Sequence, residues 1–99
     1  MPNDFIVKYH PEFFDDLDKL DKRDLEAVHK QIEKVKKNPL RFKRLKGREN
    51  CYSVRTRNLR IIYYVVGNII WFLVCDKRKT VYGIYFKRLY RIKSRLEQD

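Results

Sequence analysis

Three arginines and one tyrosine carry most of the chemistry that this 99-residue sequence can offer. Arg55, Arg60 and Arg78 each bring a planar, permanently protonated guanidinium, whose forked N–H donors fit two oxygens of one phosphate. Gathered on a single phosphodiester, such groups stabilise charge well and abstract protons badly. A phenol such as that of Tyr82 ordinarily titrates at about 10, so it needs neighbouring cations before it can act as a base. Arg44, Lys46 and Arg48 form a second basic cluster, of the kind that grips a phosphate backbone for affinity rather than base choice. The same cluster also reads as an ordinary solvated loop, and Tyr82 and Tyr85 also read as anchors of a terminal helix.

The charge balance points the same way as these residues. Twenty-four Lys and Arg against thirteen Asp and Glu give a net charge of +11, more than solubility needs on one small domain. Such a bias favours RNA, DNA or an acidic protein as partner, a generally solvated cationic surface being the plain alternative. The acidic residues concentrate before Lys34, while Lys77 to Arg95 contains none. The N-terminal third therefore reads as scaffold and the remainder as working surface. With 43% hydrophobic residues the chain can fold, as one domain over 1–99.

Other catalytic equipment is sparse. Paired His, or His with Glu, is not evident: His10 ends a strand-like run, His29 borders a helical stripe, and both read as structural or surface residues. Asp76 is the one acid beside the basic residues, and pairing with Lys77 or Arg78 is its plain role. No acidic or histidine cluster suggests a metal, so neither metal nor small-molecule cofactor is expected. Cys51 and Cys75 lack metal-ligand spacing and read as reduced, buried thiols. The longest apolar stretch, Ile61 to Phe72, is broken by Gly67 and Asn68 and is too short for a membrane span. A cytoplasmic protein with no membrane attachment is the expectation.

The elements that must position these residues follow from apolar spacing. Phe5, Val7 and Tyr9 mark a short strand, read as mostly buried on both sides. Pro11 suits a first helical turn, with Phe13, Phe14, Leu17 and Leu20 on one stripe. Asp21 suits the cap of a second helix with the stripe Leu25, Val28, Ile32 and Val35, stopped by Asn38-Pro39. From Tyr52 the period becomes two, through Leu59–Val66 and Ile69–Cys75, with Gly67-Asn68 as a hairpin turn. Beyond Lys79 the helical spacing returns at Tyr82, Phe86, Leu89 and Ile92, although Val81 to Phe86 could begin as strand. The order β-α-α-β-β-β-α predicts an α+β fold: a four-stranded, mainly antiparallel sheet, an N-terminal helical hairpin and a C-terminal helix.

Counting back from Gly67-Asn68 places Val66 opposite Ile69, Tyr64 opposite Trp71, Ile62 opposite Leu73 and Arg60 opposite Cys75. If Arg57-Asn58 is also a two-residue turn, with Asn58 taking the positive φ, then Arg55 faces Arg60. Like charges directly opposite are unfavourable by up to roughly 1 kcal/mol, which an anion between them would relieve. Alternatively, both side chains splay apart into water.

In Arg44-Leu45-Lys46-Gly47, Cys51-Tyr52-Ser53-Val54-Arg55, Leu59-Arg60-Ile61-Ile62-Tyr63 and Asp76-Lys77-Arg78 with Val81-Tyr82, the chain resembles the RelE/ParE toxin superfamily over nearly its full length. In the RelE branch the resemblance implies a metal-independent, ribosome-dependent endoribonuclease that cuts messenger RNA in the A site. It implies that Arg55 is a basic residue of the active site and that Arg60 holds the scissile phosphate. Arg78 would support the transition state and leaving group, and Tyr82 would stack on or orient the substrate. Arg44, Lys46, Arg48, Ser53 and Lys77 are the expected contacts to RNA and ribosome. Ser53 stands where RelE members often carry a lysine implicated in proton abstraction, which leaves the identity of the base open. The implied partners are the ribosome with bound message and a cognate RelB-like antitoxin. The rival readings are a ParE-like inhibitor of DNA gyrase and a non-catalytic RNA-binding module.

Overall fold

In the computed structural model, which describes residues 5–47 and 50–98 and side chains as far as Arg95, the first two helices begin where the sequence supplies caps. β1 (Ile6–Tyr9) leads into α1 (Pro11–Asp18), with Pro11 in the first turn, where no N–H is needed. The His10 Nδ1 caps that helix by accepting the Glu12 N–H at 3.1 Å. Asp21 caps α2 (Lys22–Lys37), its Oδ1 accepting the Asp24 N–H at 2.8 Å. A short 3₁₀ turn at Pro39–Arg41 follows, held by the buried Tyr63 hydroxyl, which donates to the Pro39 carbonyl at 2.6 Å. Then come β2 (Lys43–Arg44), β3 (Cys51–Thr56), β4 (Leu59–Val66), β5 (Ile69–Lys77) and α3 (Arg78–Gln98).

The strands form one sheet in the order β1-β5-β4-β3-β2, with β1 parallel to β5 and every other neighbour antiparallel. The architecture is the expected α+β class, with five strands instead of four. Lys43 and Arg44, read from sequence as loop, pair with Ser53 and Tyr52. Two consecutive cations carry no apolar alternation, so this edge strand leaves no sequence signal. β4 lies at the centre and is apolar toward both sides, as a strand covered on both faces must be. Leu59, Ile61, Tyr63 and Val65 meet Phe13, Val28, Ile32 and Val35 beneath the helical hairpin. Ile62 and Tyr64 meet Val81, Tyr85, Leu89 and Ile92 beneath α3. The molecule is thus three layers, hairpin, sheet and helix.

Three details depart from the pattern read along the chain. β1 is an edge strand with Ile6 50% exposed, because only β5 flanks it, and Phe14 on α1 is exposed too. α3 starts at Arg78 and turns Val81, Tyr85, Leu89 and Ile92 inward. Tyr82 and Phe86, assigned from spacing to the buried stripe, therefore stand exposed. The positive φ of the β3–β4 turn falls on Arg57, at 54°, rather than on Asn58. One positive φ at the first loop position is the II′ pattern, which twists with the strands.

The departure with most consequence is a β-bulge. Val66 faces Ile69 and Tyr64 faces Trp71 as expected, but Ile62 faces Val74, Arg60 faces Asp76, and Leu73 has no partner. Because side chains alternate with period two, one extra residue exchanges the faces of everything beyond it. Cys75 passes to the hairpin core and Asp76 to the α3 side. The backbone groups released by the bulge are taken up by a buried ion pair. Arg88 Nη1 donates to the Leu73 carbonyl at 2.8 Å and to Asp16 Oδ2 at 2.6 Å, and that same oxygen accepts the Cys75 N–H at 3.0 Å. Asp16 on α1 and Arg88 on α3 thereby lock both outer layers to the irregular point of the sheet.

Candidate active site

The β3–β4 hairpin brings Arg55 and Arg60 directly opposite one another, as the turn predicts. Their strand neighbours Val54, Leu59 and Ile61 enter the hairpin core, so both arginines start from the α3 side of the sheet. Arg78 opens α3 immediately after β5. All three, with Arg57, Asn58 and Leu59, line one small open cleft of about 180 Å³. Three guanidiniums in a single cleft leave like charges close together with no acidic side chain among its lining residues. That arrangement is unfavourable in isolation and suits a bound oxyanion. Helix α3 also presents its positive end at Arg78, where a cation is disfavoured and an anion is welcome.

Tyr82 lies one helical turn beyond Arg78, 40% exposed, with its ring edge-on to the buried Tyr85 at 6.4 Å between centroids. Tyr85 anchors the helix while Tyr82 stays available to a ligand. Arg57, not singled out from sequence, also lines the cleft, although its guanidinium pairs with Asp24 on α2. Its position became visible only with the turn geometry, since a turn arginine carries no pattern of its own.

Asp76, opposite Arg60 on the α3 side, adds a carboxylate to the row that sequence had left to pair with Lys77 or Arg78. Its Oδ1 accepts the Lys77 backbone N–H at 2.7 Å, and among the described residues it forms no ion pair. The missed bulge is why the register read from sequence placed Cys75 there instead.

The remaining predicted contacts do not all converge. Ser53 lies on the same face as Arg55, one alternation away, but is buried, and its Oγ has no hydrogen-bond partner. Opposite it stands Lys43, an exposed cation that sequence did not single out. Arg44 faces Tyr52 and Lys77 faces Leu59, so both start from the hairpin side of the sheet, away from Arg55 and Arg60. Lys46 is exposed in the turn that follows β2, and Arg48 lies outside the described residues.

The two thiols take no part in this cleft. Cys51 and Cys75 are buried on opposite faces of the sheet, no disulfide joins them, and burial pushes the Cys75 thiol up to about 12. His10, at the start of α1 and not among the residues lining the cleft, is held below its ordinary value, first by burial and then by Arg88. Among the described residues no group of three or more His, Cys, Asp or Glu is placed to hold a metal, and no helix is long and apolar enough to cross a membrane.

The sheet, its two helical layers and the arginine-lined cleft define a small α+β domain of a known class. The family profile described as the ParE toxin of type II toxin–antitoxin systems matches residues 7–82. The chain belongs to that family, within the RelE/ParE superfamily of toxins. Among solved structures it is similar to a double mutant of the E. coli toxin RelE in the free state, with TM-score 0.75 and 21% identity over 89% of this chain and 98% of that one. It is also similar to a chain of the RelBE2 toxin–antitoxin complex from Mycobacterium tuberculosis, with TM-score 0.65 and 26% identity over 79% of this chain and 100% of that one. A third likeness is to a chain of the RelB–RelE complex from Methanococcus jannaschii, with TM-score 0.64 and 26% identity over 76% of this chain and 94% of that one. Among curated proteins none matches the chain in sequence.

Proposed function

We propose that this toxin is a ribosome-dependent endoribonuclease that cuts messenger RNA in the A site and so stops translation. The observation that carries the reading is the meeting of Arg55, Arg60 and Arg78 in one cleft beside an exposed Tyr82. RNA holds its own nucleophile, the 2′-hydroxyl. Cleavage therefore needs in-line placement, a proton acceptor and charge stabilisation on the phosphate, and no metal ion. Arg60 and Arg55, on facing strands, hold the phosphate oxygens. Arg78 stabilises charge building on the phosphate and the departing 5′-oxygen, and Tyr82 stacks on a base. A cleft this open places a free RNA chain poorly, so the ribosome supplies the orientation. Arg44 and Lys46, with Arg48 and Lys77, serve attachment to ribosomal RNA.

The reading includes a cytoplasmic location and a RelB-like antitoxin, since two of the similar structures are toxin–antitoxin complexes. An acidic, partly apolar segment that folds on contact suits the basic surface of this domain.

One observation favours a second reading. The matching family profile is that of ParE toxins, the branch for which the sequence resemblance implies inhibition of DNA gyrase. Purified protein added to translating ribosomes and, separately, to gyrase decides between them. Primer extension on the ribosome-bound message is expected to reveal new 5′ ends, lost in Arg60→Ala and Arg78→Ala. An intact message combined with loss of gyrase supercoiling makes the protein a gyrase poison instead.

A further inference from the structure

We infer that Asp76 is the proton acceptor of the cleavage reaction, an assignment that rests on the nuclease reading above. The bulge at Leu73 turns Asp76 to the α3 side, directly across from Arg60, and completes a row Arg55–Arg60–Asp76 over three adjacent strands. Neighbouring strands lie about 4.8 Å apart, so a phosphate gripped by the two arginines puts its attached ribose within reach of the third position. The charged and titratable groups around Asp76 are Arg60 on β4, Arg55 beyond it on β3, Lys77 on β5, and Arg78 and Tyr82 on α3. None of the cations can take a proton at neutral pH, and a phenol keeps its own until alkaline pH. A carboxylate is a base throughout the neutral range.

Its local geometry is suited to the task. Oδ1 is anchored by the Lys77 backbone N–H at 2.7 Å, which fixes the carboxylate and leaves Oδ2 for substrate. In the reaction, the proton of the 2′-hydroxyl passes to Oδ2 as the 2′-oxygen bonds to phosphorus. The bond from phosphorus to the 5′-oxygen breaks, its electron pair staying on that oxygen, which takes a proton from solvent. The products are a 2′,3′-cyclic phosphate and a 5′-hydroxyl end, and Asp76 returns its proton to water. Ser53, buried and without a second polar group bonded to it, is thereby relieved of any part in proton transfer.

Asp76→Asn tests this with little disturbance, because the amide oxygen can still accept the Lys77 N–H. Single-turnover cleavage is measured on programmed ribosomes at saturating toxin for the wild type, Asp76→Asn and Asp76→Glu. The wild-type rate is expected to be nearly flat between about pH 6 and about pH 8, the profile that carboxylate general-base catalysis gives. Asp76→Asn is expected to be slower by roughly 10²- to 10⁴-fold, to bind ribosomes undiminished, and to gain about tenfold per pH unit as hydroxide takes over. Asp76→Glu restores part of the loss. Two results overturn the inference alone: an Asn variant as fast as wild type, or a wild-type rate that itself climbs about tenfold per pH unit. A wild type that never cuts the message overturns the nuclease reading together with it.

Discussion

At the scale of single residues, the cleft is built from groups that conflict in isolation. Arg55 and Arg60 face each other across the hairpin, and Arg78 adds a cation at the wrong end of a helix for its dipole. A different residue, His10, links local chemistry to stability. Its Nδ1 accepts the Glu12 N–H, so a proton there breaks the helix cap and places charge near Arg88 and Arg91. Burial, then Arg88, holds its folded-state value below the ordinary 6.5. As pH falls the unfolded chain therefore binds the proton first. Stability is full above about 6.5 and declines below it. Urea unfolding at about pH 7.5 and about pH 5.5 is expected to show a loss on the order of 1 kcal/mol in the wild type. In His10→Asn, which retains a capping oxygen, the loss shrinks; an equal loss in both proteins contradicts this account of the cap. The guanidiniums stood out in the sequence because arginine has one chemistry wherever it sits, whereas spacing puts Tyr82 in the buried stripe and its exposure follows only from the phase of α3. Asp76 and Arg57 did not stand out, since their meaning depends on register and turn.

At the scale of elements, legibility followed periodicity. Both N-terminal helices, with the Pro11 start and the Asp21 cap, follow from spacing and from residues with a single conformational use. The two-residue β2 and the bulge at Leu73 left no trace, because neither changes the hydrophobic pattern: Leu73 and Val74 are as apolar as any strand pair. That bulge decides which face Asp76 takes, and Asp16 with Arg88 holds it in place. Removing one member of a buried pair strands the other charge and costs about 3–5 kcal/mol. Asp16→Ala is therefore expected to lower stability by about that much, read from chemical denaturation. Arg88→Met, which also leaves the Leu73 carbonyl without its donor, is expected to fall in the same range. A change below about 1 kcal/mol in both means that water or other groups satisfy the bulge equally well.

At the scale of the whole molecule, the net charge of +11 sets how it meets its target. Its acidic residues lie mainly in the N-terminal third and its cations in the rest, which steers a polyanion toward the sheet and α3. If the three guanidiniums together neutralise one phosphate of a single strand, the cleft contributes about −0.7 to the log–log slope with which affinity for an RNA oligonucleotide blocked by 2′-O-methylation falls with salt. Arg60→Ala is expected to weaken binding and flatten that slope, and a slope near zero in the wild type means that the cleft does not hold phosphate. The three-layer class was legible from element order alone, whereas the parallel pairing of β1 with β5 was not, since it joins the first strand of the chain to the last, far apart in sequence. The most direct test is chemical analysis of the ends left on a labelled message after incubation with programmed ribosomes and this protein. A 5′-hydroxyl paired with a 2′,3′-cyclic phosphate is the predicted result, for it requires the 2′-hydroxyl as nucleophile. Ends bearing a 5′-phosphate and a 3′-hydroxyl, or a message left whole, would contradict it.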